Sequence, residues 1–378
     1  MAKIILVVNE DRFFLSHRKD VALAARQQGY DFIVVCKDTG QRQDVEALGI
    51  PMIELPINPT GTNIKEELKT LFFLLKLYRR EKPDIVHHVG IKTILWGALA
   101  AKWASVSCVV NAICGLGILF SGETLSPMAK RILKVMKYAN RNMNVSELFQ
   151  NKDDKELFIN EKITTEEHCD FIKGSGVDLE EYSFSPAPDE NVIRVLFSAR
   201  MVAEKGTLTL IEAAELLRKE YKGKAEFLLC GDISNNPNGI KKEELEQMCD
   251  GEYIKWLGFR NDIPDLLKTS HIFAFPSYYR EGVPRSLIEA CAVGRPIVTC
   301  DSIGCRDTVD DGVNGFLIQP RNAEQLAEKL RILFESPALR EEMGKKGREK
   351  AEKEFDITVV KQKHLDIYRK LLEQRTTL

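Results

Sequence analysis

Two carboxylates, Glu281 and Glu289, flank an expected helix start in the segment Phe275-Pro276-Ser277-Tyr278-Tyr279-Arg280-Glu281-Gly282-Val283-Pro284-Arg285-Ser286-Leu287-Ile288-Glu289-Ala290. A strand ends at Pro276, and a loop carries Glu281 and Gly282. A helix opens near Pro284 and stops before Gly294, with Pro in its first turn and Gly past its end. Placed in this way, the two acids reach different hydroxyls of one elongated ligand. The helix start offers free N–H groups and a positive dipole end to a phosphate, and Gly282 lets a ligand come close to the backbone. Upstream, Ser198-Ala199-Arg200-Met201-Val202-Ala203-Glu204-Lys205-Gly206 follows another strand. Arg200 and Lys205 there offer a bidentate and a point-like cation to a diphosphate. Each feature alone has an ordinary explanation: a helix cap with a solvent-facing Glu289 between Ile288 and Ala290, and a basic loop.

The first half carries a second set. Asn9-Glu10-Asp11-Arg12-Phe13-Phe14-Leu15-Ser16-His17-Arg18 follows the first strand, so His17 and Arg18 stand at a strand end. A helix N-terminus with Phe13 and Phe14 in the core explains the same residues. Asp84-Ile85-Val86-His87-His88-Val89-Gly90-Ile91-Lys92 ends another strand, and one histidine of this pair suits a satisfied core position. Gly115-Leu116-Gly117 is a G-x-G without the rest of a dinucleotide fingerprint.

Short apolar runs alternating with amphipathic stretches must position these groups. Strands are expected at Ile4–Val8, Phe32–Cys36, Ile85–His88, Cys108–Ile113, Met143–Val145 and Phe171–Lys173. In the second half they are expected at Ile193–Ser198, Phe227–Cys230, Ile254–Leu257, Ile272–Phe275 and Ile297–Thr299. Helices are expected at Ser16–Gln28 and Leu208–Lys219, among others. This alternation means an α/β protein with parallel, doubly wound sheets. The Pro/Ser-rich stretch Ser183–Pro188 reads as a linker. It divides a Rossmann-like domain over residues 1–185 from a second over 186–357, and a last helix at about 358–378 completes the first domain. Two such domains would face a central cleft, with ligands beyond the strand ends.

The 378 residues are 44% apolar and 29% charged, as in globular proteins with proper cores. The formal net charge of -2 excludes a dedicated nucleic-acid binder. The charge is uneven: residues 1–150 hold 20 Lys/Arg against 14 Asp/Glu, and residues 151–185 hold 4 against 10. Nine scattered cysteines with no C-x-x-C suggest reduced thiols in a cytosolic protein. Met1–Val8 reads as a strand rather than a signal peptide. The uncharged stretch 103–122 reads as a buried strand and a Gly-rich loop (with Ser121 and Gly122) rather than a membrane span. Ser126-Pro127 opens a helix on which Lys130, Lys134, Lys137 and Arg141 share one face, while Met128, Ile132, Val135 and Met136 share another. The helix near Ile64–Arg80, with Leu71, Phe72, Leu74 and Leu75, is a second candidate for an anionic lipid surface; an ordinary surface helix fits equally.

Glu281, seven intervening residues and Glu289, preceded by Arg200 and Lys205, resemble the signature of retaining glycosyltransferases of family four with the GT-B fold. Gly231-Asp232, Gly258-Phe259-Arg260-Asn261-Asp262-Ile263 and Asp311-Gly312-Val313-Asn314-Gly315 extend the resemblance over the second domain. It implies that Arg200 and Lys205 hold the diphosphate of a nucleotide-sugar donor, with no metal or other cofactor. It implies further that Glu281 contacts the sugar, Glu289 the ribose, the backbone near Phe259 and Arg260 the base, and the N–H groups of Arg285 and Ser286 a phosphate. In the first half, His17, Arg18, His87, His88, Lys92, Gly115 and Gly117 resemble the family's acceptor and cleft positions. Val89 replaces a customary histidine, and Cys114 another. The resemblance implies a cytoplasmic enzyme at the inner face of a bacterial cell membrane, moving a hexose or N-acetylhexosamine from a UDP-sugar to a polyprenyl-diphosphate saccharide. A nucleotide-sugar epimerase on the same scaffold, which turns over without an acceptor, and a non-catalytic binding module are the alternatives.

Overall fold

The computed structural model describes residues 1–59, 61, 63–117, 120, 124–233 and 239–375. Ser121 and Gly122 of the uncharged stretch, and the last three residues of the expected C-terminal helix, lie outside them. The chain forms two compact units, Met1–Ser175 with Ile357–Leu378, and Gly176–Asp356.

In the first unit β1 (Lys3–Glu10), α1 (Asp11–His17), α2 (Lys19–Gln27), β2 (Asp31–Lys37), α3 (Arg42–Ala47) and β3 (Met52–Glu54) come first. Then follow α4 (Ile64–Glu81), β4 (Ile85–Val89), α5 (Ile91–Ala104), β5 (Cys108–Ile113), α6 (Pro127–Asn140), β6 (Asn144–Phe149), α7 (Lys152–Asn160) and β7 (Cys169–Phe171). The strands are nearly continuous apolar runs because helices cover both sheet faces. Ile4, Leu6 and Val8 of β1 join one core cluster, and Ile5 and Val7 the opposite one, against α4 and α5. The sheet order is β3-β2-β1-β4-β5-β6-β7, parallel throughout.

The second unit contains β8 (Ile193–Ser198), α8 (Thr207–Tyr221), β9 (Ala225–Cys230), α9 (Lys242–Met248), β10 (Ile254–Gly258), α10 (Ile263–Lys268) and β11 (Ile272–Phe275). It continues with α11 (Arg285–Val293), β12 (Ile297–Cys300), β13 (Gly315–Ile318), α12 (Ala323–Glu335) and α13 (Pro337–Glu354). Its sheet order is β10-β9-β8-β11-β12-β13. The last helix, α14 (Ile357–Arg375), belongs to the first unit, where Val360, Leu365, Ile367 and Tyr368 are buried beside α2 and β1 residues. In each sheet the strand order reverses once, between β1 and β4 and between β8 and β11. Ligands of such sheets bind beyond the carboxyl ends of the strands at that reversal.

Some expectations change. The chain leaves the first unit after Ser175, ten residues before the expected boundary. Ser183–Pro188 is not a free linker: the Arg295 guanidinium holds the carbonyls of Ser185 and Pro186, and the Ser185 N–H donates to the Val293 carbonyl at 3.2 Å. The expected helix from Ser16 breaks at Arg18, whose φ of -134° is not helical. The short strands β3 and β13 carry too few residues to announce themselves in the sequence. Among the described residues no helix is long and apolar enough to cross a membrane.

Candidate active site

The strand-order reversal of the second unit lies between β8 and β11, and both carry the charged groups singled out in the sequence. Beyond β8 the chain makes a 3-10 turn over Ala203–Lys205 that ends at Gly206, with φ +89°. A Cβ on Gly206 would stand 2.2 Å from the Pro276 carbonyl oxygen, so only glycine lets this turn lie against the end of β11. The approach brings Lys205 Nζ to 2.5 Å from Glu281 Oε2. The buried Ser277 hydroxyl donates to the other oxygen, Oε1, at 3.0 Å. The rings of Phe275 and Tyr279 each lie 5.4 Å from Lys205 Nζ, in cation–π range. With side chains 14% and 15% exposed, the ammonium and carboxylate are largely withdrawn from water yet reachable. Arg200 is exposed and has no side-chain partner among the described residues. It lies five residues before Lys205 on the segment that follows β8.

The start of α11 supplies the second part. Its N-cap is Pro284, whose carbonyl accepts from Leu287 at 3.2 Å and Ile288 at 3.3 Å. The N–H groups of Arg285 and Ser286 precede the first helical donor, Leu287, and remain available to an anion. One turn on, Glu289 is buried. Arg285 Nε donates to its Oε1 at 2.7 Å. Burial pushes the Glu289 carboxyl above its ordinary value, and the Arg285 charge and hydrogen bond oppose that push. Phe259 is 62% exposed beyond β10, and Arg260 beside it forks onto Asp262. Gly282 is buried, and its close approach is to the chain itself: a Cβ on Gly304 would stand 1.9 Å from the Gly282 carbonyl. The sequence reading gave no role to Ser277 and Gly206, although both lie inside the quoted segments.

The glycines that carried the resemblance pin strand ends. A Cβ on Gly231 would stand 1.8 Å from the Ala199 carbonyl, and Gly231 donates to Gly258 at 2.8 Å. Buried Asn314 closes its own turn by accepting from Asp310 and donating to Thr308.

In the first unit the structure moves several candidates into the interior. Alternation along β4 sends its adjacent histidines to opposite faces. His87 Nδ1 meets the Tyr368 hydroxyl of α14 at 2.7 Å, and His88 lies between Tyr78 of α4 and Asn111 of β5. Both are fully buried; burial lowers His88 to about 4 and His87 well below its ordinary value. They are core residues, not ligand contacts. Arg18 is 1% exposed, donating to the His17 carbonyl at 2.8 Å and to Cys114 Sγ at 3.0 Å, so it too points inward. His17 stacks on Phe13 with ring centres 4.1 Å apart and meets Ser16 Oγ at 2.6 Å. Lys92 clamps a loop, donating to the carbonyls of Asn58 and Gly61 and to Glu67 Oε1 at 2.7 Å. Gly115 and Gly117 turn the chain beyond β5 with φ +95° and +71°. Asp11, given no role by the sequence reading, accepts from Arg12, Thr39 and Gln41; burial pushes its carboxyl up, but these bonds hold it below the ordinary value. Among the described residues no group of three or more His, Cys, Asp or Glu is placed to hold a metal ion.

Residues 178–350 match the family model described as glycosyl transferases group 1, and residues 3–146 match the one described as glycosyl transferase 4-like. The chain belongs to this glycosyltransferase family. The glycosyltransferase is 26% identical over 379 residues, 95% of this chain and 98% of the other, to the N,N'-diacetylbacillosaminyl-diphospho-undecaprenol alpha-1,3-N-acetylgalactosaminyltransferase of Campylobacter jejuni. It is 27% identical over 352 residues, 90% of this chain and 89% of the other, to the UDP-Gal:alpha-D-GlcNAc-diphosphoundecaprenol alpha-1,3-galactosyltransferase of Escherichia coli. Its fold is GT-B. Anabaena HepE, solved with UDP and glucose, superposes with a TM-score of 0.78 at 19% identity, covering 98% of this chain and 100% of that one. Sucrose-phosphate synthase of Thermosynechococcus elongatus gives 0.79 at 18% identity, covering 99% and 100%.

Proposed function

We propose that this glycosyltransferase moves a hexose or N-acetylhexosamine, with retention, from a UDP-sugar to a polyprenyl-diphosphate-linked saccharide in bacterial glycan assembly. The observation that carries the reading is the Lys205–Glu281 pair, 2.5 Å apart at the strand-order reversal, with the exposed Arg200 on the same post-β8 segment. Cleaving a sugar–phosphate bond develops positive charge on the sugar and negative charge on the departing diphosphate. Lys205 and Arg200 stabilise the diphosphate, with the N–H groups of Arg285 and Ser286 as further donors. As the diphosphate draws the Lys205 ammonium, Glu281 is released to accept from a donor-sugar hydroxyl and to offset charge on the ring. Glu289 takes the ribose, and the exposed Phe259 offers a face to the base. These side chains take up the diphosphate charge without a metal. The relatives' names support a lipid-diphosphate acceptor and an α product, and an α product from an α-linked nucleotide sugar is retention.

An anionic membrane surface on the cytoplasmic side completes the reading. Lys130, Lys134, Lys137 and Arg141 are all exposed on and just after α6. The apolar contact differs from the expected one. Leu71, Leu74 and Leu75 of α4 and Met136 of α6 are buried in the core, and Ile132 and Val135 pack against it. Exposed apolar residues include Ile64, Leu68 and Phe72, one turn apart along α4, and Met128 and Tyr138 of α6. A basic helix face together with such an apolar stripe suits anionic lipid.

The test incubates a panel of nucleotide sugars with lipid-linked acceptors and reads products by mass spectrometry. Acceptor-dependent transfer from a UDP-sugar is expected, and Glu281→Ala should abolish it while nucleotide affinity stays within about threefold, because ribose and phosphate contacts remain. Donor conversion without acceptor would point instead to an epimerase. Nucleotide binding without any turnover would leave only a binding module.

A further inference from the structure

Ser277, just beyond β11, is fully buried, yet its hydroxyl faces a charged group of the site. A serine hydroxyl has one hydrogen to give. Two acceptors stand within its reach, Glu281 Oε1 at 3.0 Å and the Glu204 carbonyl at 3.3 Å. An ionised carboxylate is the stronger acceptor, so the hydrogen goes to Glu281. The Tyr279 N–H donates to Ser277 Oγ at 3.3 Å, which polarises the hydroxyl in the same sense. The backbone fixes the root of the side chain: the Ser277 N–H donates to the Phe275 carbonyl at 2.8 Å, and its carbonyl accepts from Ser302 Oγ at 2.8 Å. The turn that carries Lys205 has its own seam with this segment, because the Tyr278 N–H donates to the Glu204 carbonyl at 3.0 Å. Lys205 therefore keeps its place without the Ser277 hydroxyl. Glu281 is thus held at Oε2 by the Lys205 ammonium, 2.5 Å away, and at Oε1 by Ser277. The two anchors differ in kind. Lys205 ends a flexible four-carbon stem and is drawn to a diphosphate, whereas the short, packed Ser277 side chain cannot follow it.

We propose that Ser277 is a positioning residue for the transfer step: its hydroxyl keeps hold of Glu281 Oε1 when Lys205 turns to the departing diphosphate, so that the released Oε2 stays aimed at the donor sugar. The inference rests on the reading of the second unit as the donor site. Being fully buried, Ser277 meets no ligand itself and acts through Glu281. Without the hydroxyl, the carboxylate loses its fixed anchor at the moment the mobile one is withdrawn, and it swings away with the ammonium. The loss falls on the transition state, where positive charge develops on the sugar ring. Nucleotide binding, supplied by Lys205, Arg200 and the start of α11, is spared.

The experiment compares wild type, Ser277→Ala and Ser277→Cys in the full chain. Calorimetry reads UDP affinity, and the acceptor-dependent transfer assay reads kcat at saturating donor. Ser277→Ala should lower kcat about thirtyfold, the loss of one hydrogen bond to a charged group, with UDP affinity within about twofold. Ser277→Cys keeps a weak donor of similar shape, and its kcat should fall between the other two. A wild-type kcat in Ser277→Ala overturns the proposal. So does a loss of UDP affinity as large as the loss of kcat, which marks a merely structural role in seating the turn of Lys205. Should Ser277→Ala not fold by circular dichroism, Ser277→Cys must show the same split, and a wild-type kcat or equal losses of kcat and UDP affinity would overturn it. A wild type that binds no UDP or transfers no sugar refutes the donor-site reading and this inference with it, whereas a working wild type with an unaffected Ser277→Ala refutes this inference alone.

Discussion

Replacing Glu147 by Gln should stabilise the first unit at alkaline pH and change little in acid. Glu147 in β6 is fully buried. Its Oε1 accepts from Asn111 Nδ2 at 2.9 Å and from Asn140 Nδ2 at 2.5 Å, while its Oε2 has no partner among the described residues. The chain of bonds continues from Asn111 Oδ1 to His88 Nδ1 at 2.8 Å and from His88 Nε2 to the Tyr78 hydroxyl at 3.0 Å. It thus joins α4 and α6 through the middle of the sheet. Burial raises the Glu147 carboxyl from 4.5 to about 7, against the two amide donors. A raised acid stabilises the fold below the unfolded value, and that contribution is lost as pH rises through the folded one. The native state holds the proton between about 4.5 and 7 while the unfolded chain has released it, so stability falls over this window and levels off above it. The cost is about 3 kcal/mol at pH 8 and under about 1 kcal/mol at pH 5. The amide introduced by Glu147→Gln keeps an oxygen for both amide donors and carries no charge. The difference in unfolding free energy between variant and wild type should therefore grow by about 2 to 3 kcal/mol from pH 5 to pH 8. Taking this difference cancels the opposite slope from His88 and His364, which burial lowers to about 4 and about 3. Urea unfolding followed by tryptophan fluorescence in a Trp256→Phe background reports the first unit, because Trp96 and Trp103 both lie there. A difference that does not change with pH, or a Glu147→Gln variant weaker than wild type at pH 8, would refute the argument.

Two further outcomes follow from the geometry. Gly206→Ala should lower stability by about 1–3 kcal/mol, because it forces φ +89° on a side-chain residue and drives a methyl group into the Pro276 carbonyl. It should lower kcat/KM by about a hundredfold through misplacement of Lys205; melting curves and steady-state kinetics check both, and wild-type kinetics would show that the turn's position does not matter. Replacing Lys130 and Lys134 together by Ala should cost about 2 kcal/mol of membrane affinity, about thirtyfold in partition, at about 1 kcal/mol per charge. Flotation with phosphatidylserine-containing vesicles measures this, and unchanged flotation would remove α6 from the lipid surface.

The sequence by itself determined what depends on near neighbours along the chain. Apolar runs separated by amphipathic stretches specify parallel sheets, because a strand covered on both faces has no polar side. Proline and glycine mark where α11 begins and ends. Because strands end where loops begin, Arg200, Lys205, Glu281 and Glu289 were legible as groups at strand ends and at a helix start. The tertiary structure decided whatever depends on the distant partner. Strand periodicity carries His87 toward α14 and His88 toward α4, so both histidines, of which the sequence suggested one for the core, are core residues. Lys92 turned to a loop carbonyl rather than a ligand, since the nearest acceptors lie some thirty residues away in sequence. Helix periodicity showed that α4 and α6 are amphipathic, but only packing against α5 decided which apolar residues stay outside. Lys205 could reach Glu281 only once the turn at Gly206 had packed against the end of β11, and a contact spanning 76 residues leaves no periodic trace.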